Sequence, residues 1–103
     1  MTPWTESGLK NKTQAARLLD GPGTVLRAGT LRAVIYPNDH RPGHVHVMQA
    51  GREAVFNLHC PNGPLELREN YGFPLRALRR IEAMLAGHMR HLCDRWRTIH
   101  GDP

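Results

Sequence analysis

The sequence predicts a single α+β domain, in which an antiparallel sheet of about four or five strands packs against one long C-terminal helix. Two observations predict it. Apolar and polar residues alternate through residues 24–58, whereas apolar residues recur at steps of three and four between residues 74 and 99. The whole chain has 103 residues, which suffices for one hydrophobic core and not for two.

Residues 1–23 differ from the rest as a polar N-terminal extension, which we expect to be mobile or loosely docked. The extension carries both lysines and ends in the turn-forming run Asp20-Gly21-Pro22-Gly23. We therefore place the folded domain at residues 24–103.

Neither a membrane span nor a secretory signal is expected. No run of about 18 apolar residues occurs, and the first residues lack an apolar stretch behind a basic end. The two cysteines, Cys60 and Cys93, are far apart and form no CxxC pair, so we expect incidental thiols rather than a disulfide or a cysteine zinc site. Together these features predict a cytoplasmic protein.

The alternation of apolar and polar residues predicts the positions of the strands. Thr24–Arg27 and Leu31–Pro37 flank a short turn and predict one hairpin, and His44–Met48 and Glu53–Leu58 predict a second. Leu65–Leu67 is predicted as a short edge strand.

The register of the second hairpin follows from its turn. With Ala50-Gly51 as the turn, Val47 lies opposite Ala54 and Val45 opposite Phe56, and these apolar pairs belong on the core face. The other face then carries the polar residues His44, His46, Glu53, Asn57 and His59.

The last third of the chain predicts one helix from Pro74 to Ile99, with Gly87 as a point where it can bend. Its length would be about 39 Å, more than the width of a small sheet, so we expect part of the apolar stripe to pack on a second copy as a homodimer. The stripe comprises Leu75, Leu78, Ile81, Leu85, Met89, Leu92, Trp96 and Ile99, and the opposite side carries Arg76, Arg79, Arg80, Arg90 and Arg97.

The charge of the chain favours an anionic partner. Fourteen Lys and Arg residues against nine Asp and Glu give a net charge of +5, and twelve of the fourteen are arginine. The planar guanidinium binds phosphate through two hydrogen bonds, so we expect contact with nucleic acid, RNA rather than DNA. A GC-rich genome would also enrich arginine, without any such role.

Three of the seven histidines, His40, His44 and His46, lie within seven residues. His44 and His46, at i and i+2, could chelate a divalent metal such as zinc, with His40 or His59 as a further ligand and one open position. Alternatively, they could act as general acid and base in metal-free RNA cleavage, with Arg41 or Arg52 stabilising the charge that develops.

Two further interpretations of the histidines involve no catalysis. The rings could stack on bases or bind phosphate, or they could lie on an exposed strand face without a function. No zinc-enzyme signature such as HExxH is present.

The histidines belong to a longer motif. The stretch Asn38–Val47 reads NDH-x-P-x-HVHV, and Gly51–Phe56 contains EA-x-F. Together with Asn70–Phe73 and later apolar residues, it resembles a family of small bacterial proteins described as a domain of unknown function. The resemblance covers about residues 24–101. It implies a prokaryotic cytoplasmic protein, often encoded beside a second small protein in arrangements proposed to be toxin–antitoxin modules.

The leading hypothesis is therefore a toxin-like component of a toxin–antitoxin pair that binds RNA and can cleave it. His40, His44 and His46 would be the reactive groups, and phosphates would be held by Arg41, Arg52, Arg76, Arg79 and Arg80. The first alternative is a non-enzymatic regulator that binds DNA or a partner protein through the basic helix face. The second is a metal protein with ligands among His40, His44, His46 and His59.

Overall fold

The computed structural model describes residues 23–103, so the predicted extension lies outside the described residues except for Gly23. The described chain forms one antiparallel sheet of five strands in sequential order, followed by two helices. The α+β prediction is confirmed in this form. The elements are β1 Thr24–Ala28, β2 Leu31–Val34, β3 His44–Gln49, β4 Arg52–Asn57, β5 Glu66–Tyr71, α1 Leu75–Ala86 and α2 Met89–His100.

The predicted register of the β3–β4 hairpin is confirmed. Val45 lies opposite Phe56 and Val47 opposite Ala54, and all four are buried. Ala50 and the glycine after it both have positive φ, of 50° and 80°, as a tight two-residue hairpin turn requires. His46 therefore faces away from this core, opposite Val55.

The edge strand β5 is longer than the predicted Leu65–Leu67. It runs over Glu66–Tyr71, pairs with β4, and all six of its residues are exposed. An exposed strand of mostly polar residues carries no alternation of polarity, which explains why the pattern in the sequence shows only part of it.

The prediction of one long helix is wrong, because the helix ends at Ala86 and a second begins at Met89. The break falls at Gly87, whose missing side chain disfavours a continuous helix, and the N–H of His88 bonds to the carbonyl of Leu85 at 2.9 Å. Within residues 23–103, no helix is long and apolar enough to cross a membrane.

The apolar stripe of the predicted helix is divided between α1 and α2. Five of the eight stripe residues are buried within the chain, Met89 and Ile99 are partly buried, and Leu75 is exposed. The homodimer stays a prediction. The shared core comprises Val25, Ala33, Ile35, Val45, Val47, Ala54, Phe56, Leu58, Phe73, Leu78, Ile81, Leu85, Leu92, Cys93 and Trp96.

Helix α2 is held by the sheet at one end and by the β2–β3 loop at the other. His91 Nε2 donates to the carbonyl of Val25 in β1 at 2.6 Å, and His100 Nε2 donates to the carbonyl of Tyr36 at 2.9 Å. Between them, Trp96 is completely buried. These contacts place one end of α2 beside the loop that leads into β3.

The expectation of incidental thiols is wrong, because Cys60 and Cys93 form a disulfide with Cα atoms 5.9 Å apart. It joins the β4–β5 loop to α2, and Cys93 is fully buried. The two cysteines are 33 positions apart in sequence and form no local motif, so only the packing of α2 against the loop shows the pairing.

We predict that replacing both cysteines, Cys60→Ala with Cys93→Ala, lowers the free energy of unfolding by about 3 to 4 kcal/mol. A cross-link that closes a loop of this length restricts the unfolded chain by about that amount. Urea denaturation followed by circular dichroism measures the difference. Dithiothreitol should destabilise the wild type and leave the double variant unchanged, whereas two free thiols in the unreduced, denatured wild type would contradict the prediction.

Candidate functional site

The loop between β2 and β3 is organised by Asp39. The backbone N–H of Tyr36 donates to Asp39 Oδ2 at 2.8 Å, and the backbone N–H of Asp39 donates to the Tyr36 carbonyl at 3.0 Å. This is the turn-capping role expected of an aspartate in such a loop. It occupies one carboxylate oxygen and directs the other towards the sheet.

The second oxygen of Asp39 lies against two histidines of β3. Asp39 Oδ1 is 3.4 Å from His44 Nε2 and 3.2 Å from His46 Nε2. The three side chains are 12%, 6% and 16% exposed, respectively. One atom from each residue lies within 4.8 Å of the others, and we call Asp39, His44 and His46 the His–Asp cluster.

The other ring nitrogens define which tautomers are present. His44 Nδ1 donates to the Pro42 carbonyl at 2.8 Å, and His46 Nδ1 donates to Glu53 Oε2 at 2.9 Å. A carbonyl or carboxylate oxygen can only accept, so both Nδ1 atoms carry a proton. In the neutral rings, both Nε2 atoms therefore direct lone pairs towards the Asp39 carboxylate.

Packing fixes the orientation of both rings. The Tyr36 ring meets His46 edge-on, with centroids 4.9 Å apart, and the His44 ring lies 5.3 Å from that of Trp96. On the sheet, His46 is flanked by Val34 and Val55, both buried. Rings held in this way lose little conformational entropy when a ligand binds.

The other predicted histidines lie elsewhere. His40 is exposed on the loop, as is the neighbouring Arg41. His59 Nε2 donates to Glu66 Oε1 at 2.9 Å, at the β5 side of the sheet. Its hydrogen bond is the largest cause that lowers the pKa of Glu66, followed by the bond from Asn57. The structure thus groups His44 and His46 with Asp39, and not with His40 or His59.

Asp39 was not among the residues predicted for the site. The sequence does hold a signal, because Asp39 lies five residues before His44 in one motif. A turn in the loop is needed to bring its carboxylate back to the strand, and residue spacing alone does not show that turn.

Asn57 is a further polar residue beside the cluster. It lies directly opposite His44 on the neighbouring strand, and its Nδ2 donates to Glu66 Oε1 at 3.2 Å. Its buried Oδ1 accepts no hydrogen bond from the residues that the structure describes. A buried acceptor of this kind can receive a hydrogen bond from a bound water or ligand.

A basic groove of about 500 Å³ lies along the same face of the sheet. One cross-strand row forms much of its wall, with Arg27 opposite Arg32, Arg32 opposite Met48, and Met48 opposite Glu53. Arg52 lines it at the hairpin turn. Glu53 belongs to both sites, because it lines the groove and also accepts the hydrogen bond from His46 described above.

The arginines of the helix face form a different surface. Arg76, Arg79 and Arg80 are exposed on α1, where they line a separate groove with Leu75 and Ala83. The structure therefore offers two basic surfaces for an anionic partner, of which one adjoins the His–Asp cluster.

The chain is similar to a known protein family. The model of a family described as "Domain of unknown function (DUF4160)" matches residues 31–97, a range that includes the His–Asp cluster and most of both helices. No curated protein and no solved structure matches the chain.

Proposed function

The chain belongs to the family described as domain of unknown function DUF4160, and we propose that its His–Asp cluster binds one zinc ion as a hydrolytic centre. The observation that supports this most directly is the convergence of two histidine Nε2 atoms on one carboxylate oxygen, at 3.2 and 3.4 Å.

Two of the three separations between the ligand atoms suit tetrahedral zinc. Ligand atoms held about 2.0–2.2 Å from a tetrahedral ion are about 3.3–3.6 Å from one another. The separations from Asp39 Oδ1 to the two Nε2 atoms, 3.4 and 3.2 Å, are close to this range. Neighbouring ligands around an octahedral ion at about 2.0–2.1 Å would be closer, at about 2.9 Å.

The charge distribution within the His–Asp cluster also favours a bound cation. With both Nδ1 atoms protonated, three electron-rich atoms face one another, and either a metal ion or a proton must lie between them. A proton would form a charge-assisted hydrogen bond, which in proteins is typically about 2.7–2.9 Å long. The shorter of the two separations, from His46 Nε2 to Asp39 Oδ1, is 3.2 Å, which is longer than this typical length and still within hydrogen-bond distance.

The hydrogen bonds made by the Nδ1 atoms of the two histidines also resemble those of a zinc centre. Zinc-binding histidines usually donate their second ring N–H to a carbonyl or carboxylate, as His44 does to Pro42 and His46 does to Glu53. Two histidines and one carboxylate leave a fourth position for water, the arrangement of catalytic rather than structural zinc. Zinc lowers the pKa of such a water to about 7.

This proposal replaces part of the sequence-based hypothesis and keeps the rest as a prediction. Zinc chemistry takes the place of metal-free acid–base catalysis, and His40 has no part in it. A toxin-like role, a cognate partner protein and a cytoplasmic location stay predictions. So does the alternative of a regulator that binds DNA or protein through the exposed arginines of α1.

We predict that the tag-free protein binds about one zinc ion per chain, and that His44→Ala or Asp39→Asn weakens this binding at least 100-fold. His44→Ala removes a direct ligand and Asp39→Asn removes the negative charge of another, and each should cost more than the 10- to 100-fold typical of supporting groups. The protein is stripped with chelator and titrated with zinc by calorimetry, and the bound metal is counted by mass spectrometry.

The chain provides matched controls for this test. His40→Ala and His59→Ala each remove one imidazole from outside the cluster, so zinc binding should persist. Circular dichroism confirms that every variant is folded. Loss of zinc in the His40→Ala variant, or a wild type that binds none, would refute the proposed centre.

We also predict that Glu53→Ala weakens zinc binding about 10- to 100-fold without abolishing it, because Glu53 fixes the tautomer and orientation of His46. Glu69→Ala removes an equal charge from β5 without a contact to the cluster and should leave the affinity unchanged. Equal effects of the two changes would show that net charge, rather than positioning, governs binding.

A further inference from the structure

We propose that the basic groove binds the backbone of a single-stranded RNA and presents the adjoining phosphodiester to the His–Asp cluster. The cleavage step rests on the proposed zinc centre, whereas binding in the groove does not.

The groove has the charge and the donors that a phosphate backbone needs. Three arginines line it against one glutamate, and Arg27 and Arg32 stand directly opposite one another. Each guanidinium has five N–H donors, so an arginine that already contacts one protein group can still bind a phosphate oxygen. Arg32, for example, directs Nη2 to Met48 Sδ at 3.7 Å.

The groove and the cluster lie next to each other on one sheet face. Met48 lines the groove, and His46 is two residues away on the same strand, about 7 Å along the same face. Glu53 contacts both sites. A chain of phosphates that enters over the arginines therefore continues towards the cluster.

Two exposed tyrosines provide surfaces on which bases can stack. The Tyr36 ring is in edge contact with His46, and Tyr71 lies opposite Glu53 on β5. They are 38% and 60% exposed. Glu69 is the main cause that raises the pKa of Tyr71, so its ring stays an uncharged phenol at neutral pH. Aromatic rings beside a basic track are typical of single-strand binding.

A site with a single metal ion is better suited to cleaving RNA than to cleaving DNA. Among the described residues, the His–Asp cluster is the one group with metal-ligating geometry. DNA hydrolysis commonly uses two metal ions, whereas RNA carries its own nucleophile, the 2′-hydroxyl, next to each phosphorus.

The reaction that follows is a transesterification. A zinc ion held by Asp39, His44 and His46 would supply a hydroxide as the base for the 2′-hydroxyl proton. The 2′-oxygen then forms a bond to phosphorus as the bond to the 5′-oxygen breaks, and the 5′-oxygen takes a proton from water. The products are a 2′,3′-cyclic phosphate and a 5′-hydroxyl.

Binding is tested first, on the full chain without metal. Fluorescence anisotropy measures the affinity for a labelled, unstructured ten-nucleotide RNA over a range of salt concentrations. Arg32→Gln with Arg52→Gln should weaken binding about tenfold or more and reduce the salt slope by about 0.7 for each phosphate that the variant no longer binds. Arg76→Gln with Arg79→Gln makes the same change of charge on α1 and should have little effect.

Cleavage is tested next, on protein shown separately to hold zinc. The RNA should yield 2′,3′-cyclic phosphate ends, while the all-deoxy oligonucleotide of the same sequence should bind and stay intact. Weaker binding in the α1 variant alone would overturn the groove assignment, as would no RNA binding at all. Binding without cleavage by zinc-loaded protein would overturn the chemistry, and failure to load zinc would instead refute the proposed centre.

Discussion

The Asp39 carboxylate is the interaction on which the site depends. One oxygen accepts the N–H of Tyr36 and closes the loop, and the other reaches the Nε2 atoms of His44 and His46. The same side chain thus shapes the loop and supplies the negative charge of the cluster. If the loop were mobile, ordering Asp39 would cost conformational entropy and weaken metal binding. This turn instead holds the carboxylate in place before a metal ion binds.

Helix α2 and the hydrogen-bond partners of the two histidines hold the cluster in place. Trp96 of α2 is buried against the His44 ring, and α2 is tied through Cys93 to the loop that follows β4. The opposite ring nitrogens are held by Pro42 and Glu53. The strand that bears both histidines therefore has one face in the hydrophobic core and the other at the site, which couples the stability of the domain to the geometry of the cluster.

The sequence predicted what depends on local periodicity. Strict alternation and the Ala50-Gly51 turn were sufficient for the β3–β4 register and for the shared face of His44 and His46. It marked Gly87 as a bend without showing that the helix ends there, and it failed where the outcome depends on contacts between distant segments, as in the disulfide. Asp39 belongs to the same class, because its second role appears only once the loop has folded back onto the strand.

The most direct test of the zinc centre is anomalous diffraction at the zinc edge from crystals of the zinc-loaded protein. We expect an anomalous peak about 2.0–2.2 Å from Asp39 Oδ1 and from the Nε2 atoms of His44 and His46. A peak bound instead by His40 or His59, or no peak at the cluster in a protein that holds zinc, would contradict the proposed centre.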